Sequence, residues 1–362
     1  MQELVSIDGD LDELIDYYEQ QGWTDGLPVL PPTEARVGRM LEYTDLSPDD
    51  SVGAIPATEG DATVHAVAVN AVMAGCRPEY LPVVLAAVKG LTDPDFNTYG
   101  MQATTNPVCP IIVVNGPIAR ELNINSEGNV LGAGFRANAT IGRAVRLCLL
   151  NIGGGQPQTM DKSTHGQPAK AGLCIAENER DSPWEPFHVE RGLDPSTSAV
   201  SLMTITGTQH ILEAASKTGL SILRTLCSAT AHVGMQNVLL GGGPLIIFSP
   251  EHAQIIADDG FTKDDVREFL YEHARVPVSA FPPEVLEGYI HLRRARRYWS
   301  QNPSSAIPMA DSPGRIQLVV AGGIGPHTVI APSFGEATSV PVVPISFRDG
   351  TPVGSVEQLG SA

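Results

Sequence analysis

Four stretches of the sequence carry residue types that do chemistry. The first runs Gly132-Ala-Gly134-Phe-Arg136-Ala-Asn138-Ala-Thr140-Ile-Gly-Arg143. Its glycines half-match a dinucleotide fingerprint, yet no strand precedes them and no acid follows at about 20 positions, so NAD is set aside. What remains is an anion site. Glycines open backbone N–H groups at a helix start, Asn138 can cap it, and Arg136 adds a forked cation. Gly132, Gly134, Arg136, Asn138 and Arg143 are therefore expected to hold a carboxylate or phosphate. The alternative is a tight turn in which Arg136 pairs with a structural acid.

The second is Cys76, between a helix closed by Gly75 and one begun at Pro78, with Arg77 adjacent. A thiolate at a helix N-terminus beside a cation is stabilised, which would make Cys76 reactive. Cys109 is a weaker candidate, and Cys148 and Cys227 sit in apolar runs that read as core. The third gathers Asp161, His165, Cys174, Glu177, Glu179, His188, Glu190 and Arg191 within about thirty residues. His188 reads as a general acid or base. His165, Glu177, Glu179, His188 and Glu190 could instead hold a metal for hydrolysis or hydration, although no HExxH spacing is present. The fourth is Gly322-Gly323-Ile-Gly325-Pro-His327, after a strand. A glycine turn at Gly323 lets a substrate approach the backbone, with His327 as a catalytic or binding group.

The elements that must position these residues are legible in outline. Leu11, Leu14, Ile15 and Tyr18 recur at helical spacing, and Gly22 stops that helix. An extended Trp23–Thr33 segment follows, because its prolines forbid helix. Helices are expected near 34–42, 63–74, 78–91, 137–150 and 262–275, the last with Thr262 and Asp265 at capping-box spacing. Residues 96–109 and 153–200 read as polar loops. Pro110–Val114 reads as a buried strand leading into a helix, and Pro244–Phe248 repeats that unit about 134 residues later. Ile316–Val320 is a third strand. The four arginines of 291–299 read as a helical surface or subunit contact. The expected architecture is α/β: an acidic N-terminal arm over 1–60, a first lobe over 61–200 and a related second lobe over 201–362.

The chain has 362 residues, 36 glycines, 29 prolines and 18% charged residues, with a mean hydropathy of zero. That describes a turn-rich globular protein rather than a disordered or fibrous one. The net charge is −18, and the first sixty residues hold fourteen acids against Arg36 and Arg39. This balance argues against nucleic acid or an anionic membrane as partner, yet it leaves room for one small anion near the arginines at 136, 143, 146 and 191. No apolar run approaches a membrane span, and five widely spaced cysteines without a CxxC suggest a cytoplasmic protein with free thiols.

Several segments resemble proteins associated with the UGSC (seleno)protein family, which are distantly similar to the selenoprotein B components of glycine, sarcosine, betaine and D-proline reductases. They are GWTDGLPVLPPT (22–33), NAVMAGCRPEYLPVVLAAV (70–88), NGPIARELNIN (115–125), FRANATIGRAVRL (135–147) and AENERDSPWEPFHVERG (176–192). The U/C-G-S-C motif of that family is absent, so no catalytic residue carries over from it. The resemblance implies a reductase- or lyase-type enzyme cleaving a carbon–heteroatom bond, with the cofactor unknown; the residues themselves offer Cys76, His188 or His327 to supply the chemistry. The absent motif leaves the alternative of a scaffold subunit whose thiol-bearing partner does the chemistry, and a homo-oligomer is expected.

Overall fold

A computed structural model describes residues 10–285 and 305–360; the arginine-rich stretch 291–299 lies outside them. In chain order, helices α1 (Leu11–Gln20) and α2 (Glu34–Leu41) precede a hairpin of β1 (Ser51–Ile55) and β2 (Gly60–Thr63). Then come α3 (Val64–Ala74), α4 (Leu81–Leu91), α5 (Thr98–Ala103), β3 (Cys109–Asn115), α6 (Pro117–Glu121) and α7 (Arg136–Asn151). β4 (Cys174–Ala176), α8 (Phe187–Glu190), β5 (Ala199–Ile205) and β6 (Gln209–Leu212) lead to α9 (Gly219–Thr230) and α10 (Gln236–Leu240). The remainder is β7 (Leu245–Phe248), α11 (Pro250–Asp258), α12 (Lys263–His273), β8 (Arg275–Pro277), β9 (Ala306–Pro308), β10 (Gln317–Val320), β11 (His327–Ala331) and β12 (Val342–Pro344).

The fold is α/β, built on two four-stranded mixed sheets, β12-β5-β3-β4 and β10-β7-β11-β6. The central strands β3 and β7 are buried throughout because both of their faces are covered. Cys109, Ile111 and Val113 of β3 meet Leu245 and Ile247 of β7 in a core between the sheets. The alternate residues Ile112 and Val114 turn outward under α3, α4 and α7, as Ile246 and Phe248 do under α9, α11 and α12. The period-2 alternation of strand side chains thus makes four layers: helices, sheet, sheet, helices.

The two sheets repeat one plan. Val114 pairs in parallel with Ala176 and Phe248 with Val320, and the amides of Glu177 and Ala321 both bond back to the central strand, at Val114 and Phe248. An antiparallel strand flanks each centre, β5 beside β3 and β11 beside β7. The outer strands are exchanged: β6 follows β5 but pairs with β11, and β12 follows β11 but pairs with β5. A boundary at residue 200 would therefore cut β5, and the chain after 201 contributes to both sheets. Of the expected arm over 1–60, the described residues 10–60 are not separate, since Tyr18, Val29, Val37, Met40 and Ile55 are buried in the same core as α3 and α4. The expected loops are also partly ordered: α5 lies within 96–109, and β4 and α8 within 153–200. No described helix is long and apolar enough to cross a membrane.

Candidate functional site

The structure distributes the expected site residues over separate places. Cys76 is the clearest correction. Gly75 (φ 88°) closes α3, and the Cys76 amide reaches back to the Ala71 carbonyl, so the thiol sits at a helix C-terminus, the end that disfavours an anion. It is buried and donates to the Thr140 carbonyl at 3.3 Å. Burial pushes its pKa up to about 12, outweighing the nearby Arg136 and Arg143 charges. The other four thiols are buried as well, and burial raises each of them. A disulfide reagent is therefore expected to label less than one thiol per native chain and all five after unfolding in guanidinium; rapid labelling of the native protein at a single cysteine would refute this.

The arginine pocket does not form either. Arg136 donates Nε and Nη2 to the Gly75 carbonyl at 3.1 and 2.9 Å, where a cation complements the helix C-terminus. Asn138 is buried and spends its amide on the backbone of Asn125, accepting from its N–H at 2.7 Å and donating to its carbonyl at 3.0 Å. Arg146 and Lys170 face Asp161, while Arg191 bonds Gln317 and lies over Phe187. Gly132 and Gly134 lie on an exposed loop. Gly323 abuts that loop's start, since a Cβ there would stand 3.1 Å from the Gly128 Cα. His327 is exposed at the first position of β11.

His188, Glu177, Glu179 and Glu190 do converge, at the carboxyl ends of β3 and β4. Asn115 donates Nδ2 to Glu177 at 2.6 Å and to Glu179 at 3.1 Å. Gly116 and Arg120 add donors to Glu179, and the Phe187 amide adds one to Glu177. Lys263 bonds Glu190 at 3.1 Å and stands 3.9 Å from Glu177, with Arg267 paired to Glu190. Burial raises the Glu177 pKa and lowers that of His188. His188 is fully buried, 3.9 Å from Glu179 and beside the Pro195 backbone. His165 is exposed on the loop that runs beside Thr105. Glu179, Glu190 and one oxygen of Glu177 are taken by amide and cationic donors, and no group of three or more His, Cys, Asp or Glu among the described residues is arranged to hold a metal ion. This is a packed polar cluster, and the proposed five-residue metal set is not assembled.

A different place has room for a ligand. A cavity of about 1160 Å³ lies between the N-terminal segment and α3. Its construction starts at Gly22, whose φ of +70° lets α1 end in a Schellman motif: Gly22 N–H bonds Glu19 and Trp23 N–H bonds Tyr18. The segment that follows is stapled to α7 and its exit. Arg143 grips the Asp25 carboxylate through two bonds of 2.8 and 2.7 Å and also donates to the Leu27 and Pro28 carbonyls. Asn151 holds the Trp23 carbonyl and Asn70, and Gln156 holds the Gly22 carbonyl. Burial alone would raise the Asp25 carboxyl; the hydrogen bonds and charge of Arg143 outweigh it and hold its pKa below the usual range.

The result is a wall of Tyr17, Tyr18 and Trp23, with ring centroids 5.9–6.1 Å apart. Arg36 and Arg39 of α2 and His65 and Asn70 of α3 complete the cavity. The reading of isolated constellations missed these residues. The available signal was the family-like wording itself: segments 22–33 and 70–88 supply Trp23, Pro31, Pro32, Thr33, Asn70 and Met73 to the lining. No protein-family model matches the chain, and no curated protein is significantly similar to it.

Proposed function

We propose that the chain is an enzyme acting on a small organic anion and cleaving a carbon–heteroatom bond by proton transfer, a lyase-type reaction. One observation carries this: the cavity joins Arg36 and Arg39 with His65, and no cysteine lines it. The guanidinium groups would pair with the substrate carboxylate. His65 would take a proton from the carbon beside that carboxylate. The C–H electron pair becomes the new double bond, and the heteroatom group leaves with its bonding pair and gains a proton from solvent. Reduction by this chain alone has less support, because a thiol mechanism needs a thiolate and all five cysteines are buried.

That burial also favours a second reading, a subunit whose thiol-bearing partner performs the reduction. Unpaired cysteines support a cytoplasmic location for either. The test is to incubate the purified chain with a panel of 3-substituted carboxylates and follow alkene formation by NMR. Turnover that falls about 10²–10⁴-fold in His65→Asn supports the lyase reading. Turnover unaffected by that substitution removes it, and turnover seen only with a thiol-bearing partner selects the subunit reading.

A further inference from the structure

Resting on the cavity as the substrate site, we propose that its ligand is a planar, ring-bearing organic carboxylate rather than a short aliphatic acid. Size is the first reason. At about 1160 Å³ the space exceeds that of most drug-sized sites, which run to roughly 1,000 Å³, and a short acid would leave most of it to water. The wall is the second reason. Tyr17 and Trp23 meet edge to face at 79°, and Trp23 keeps 38% of its surface exposed while lining the cavity. An exposed indole held rigidly in place is a stacking platform for a flat ring.

Asn151, itself bonded to Asn70, fixes the Trp23 backbone carbonyl, and Tyr17 and Tyr18 pack against the indole itself, so little freedom is lost when a ring docks. Charge is the third reason. Arg36 and Arg39 lie three residues apart and share one face of α2. Arg36 commits one nitrogen to the Pro31 carbonyl, and Arg39 is exposed with no ion pair among the described residues. Against them the lining holds a single acid, Glu34, so a carboxylate is complemented and a cation is not.

Calorimetry on the full chain with 2-naphthoate, 2-naphthylmethanol and propionate tests this. The ring-bearing acid is expected to bind at least about tenfold more tightly than either other probe, and Trp23→Leu and Arg39→Gln should each weaken it about tenfold. Tyr17→Leu provides a second wall variant should Trp23→Leu fail to fold. Propionate binding as tightly as naphthoate, with the wall variants unchanged, would overturn the ring-bearing class while leaving an anion site in the cavity. Naphthoate binding indifferent to both Trp23 and Arg39 would overturn the proposal. An absence of binding by all three probes would overturn it together with the cavity as substrate site.

Discussion

Arg143→Ala is expected to destabilise the fold by about 3–5 kcal/mol, the usual cost of removing one member of a buried ion pair. The Asp25 side chain is 6% exposed and that of Arg143 17%, so the abandoned carboxylate stays in a poorly solvated place. The loss is larger than a charge count suggests, because the same guanidinium also holds the Leu27 and Pro28 carbonyls. Without it the Trp23 wall loses its main anchor, so ligand binding in the cavity should fail with stability. The pH dependence has a defined sign. Asp25 has a depressed pKa in the folded state, so its contribution is fully present above the usual carboxylate pKa and is lost as pH falls through the folded value. The gap between native protein and variant should persist from pH 8 to about 4 and narrow below that. Urea denaturation across this range measures it. A loss under 1 kcal/mol at pH 7, or a gap that widens in acid, would contradict the assignment.

Lys263→Met should have a comparable effect in the polar cluster, about 3–5 kcal/mol at pH 7.5. Methionine retains the volume of the aliphatic stem and removes only the ammonium. Glu190 then loses a partner at 3.1 Å and Glu177 a cation at 3.9 Å, while the Glu185 carbonyl loses its donor. Burial already raises the Glu177 pKa, with Lys263 the largest opposing influence. A carboxyl raised on folding contributes stability at low pH that is lost as pH rises through its folded value. Removing Lys263 raises Glu177 further, so the penalty should be smaller at pH 5 than at pH 7.5. Glu177→Gln added to Lys263→Met should recover part of the loss, since the amide oxygen can still accept from Asn115 and the Phe187 amide. Equal penalties at the two pH values, or no recovery in the double variant, would sink this account.

Local elements were legible because their signals are local. The apolar runs of β3 and β7, the Thr262–Asp265 capping box of α12 and the glycines ending α1 and α3 all appear in the structure. The repeat of strand and helix 134 residues apart was also visible, and it corresponds to the centres of the two sheets. β5, whose seven residues are all buried, was hidden by its polar surroundings. β6 and β12 have four and three residues, too few for a period to show, and their exchange between sheets is a long-range pairing that no window of sequence reports.

For the candidate site, residue types were readable and partners were not. An arginine on a helix start predicts a forked cation, but whether it meets a ligand or a backbone carbonyl depends on what folds against it. Arg143 meets Asp25, 118 positions away; Arg136 meets Gly75, 61 positions away. Cys76 has a cation beside it in sequence, yet solvent exclusion by α3, α4 and α7 decides its proton affinity.

The sequence by itself determined the class of the fold, the ends of its main helices and the buried central strands. Those follow from side-chain periodicity and backbone sterics, which act over a few residues. The tertiary structure alone decided the exchange of edge strands, the spending of Arg136 and Arg143 on internal partners, the silencing of the thiols and the opening of the cavity beside Trp23. Burial and charge pairing are properties of surroundings, and those surroundings are assembled from residues far apart in the chain.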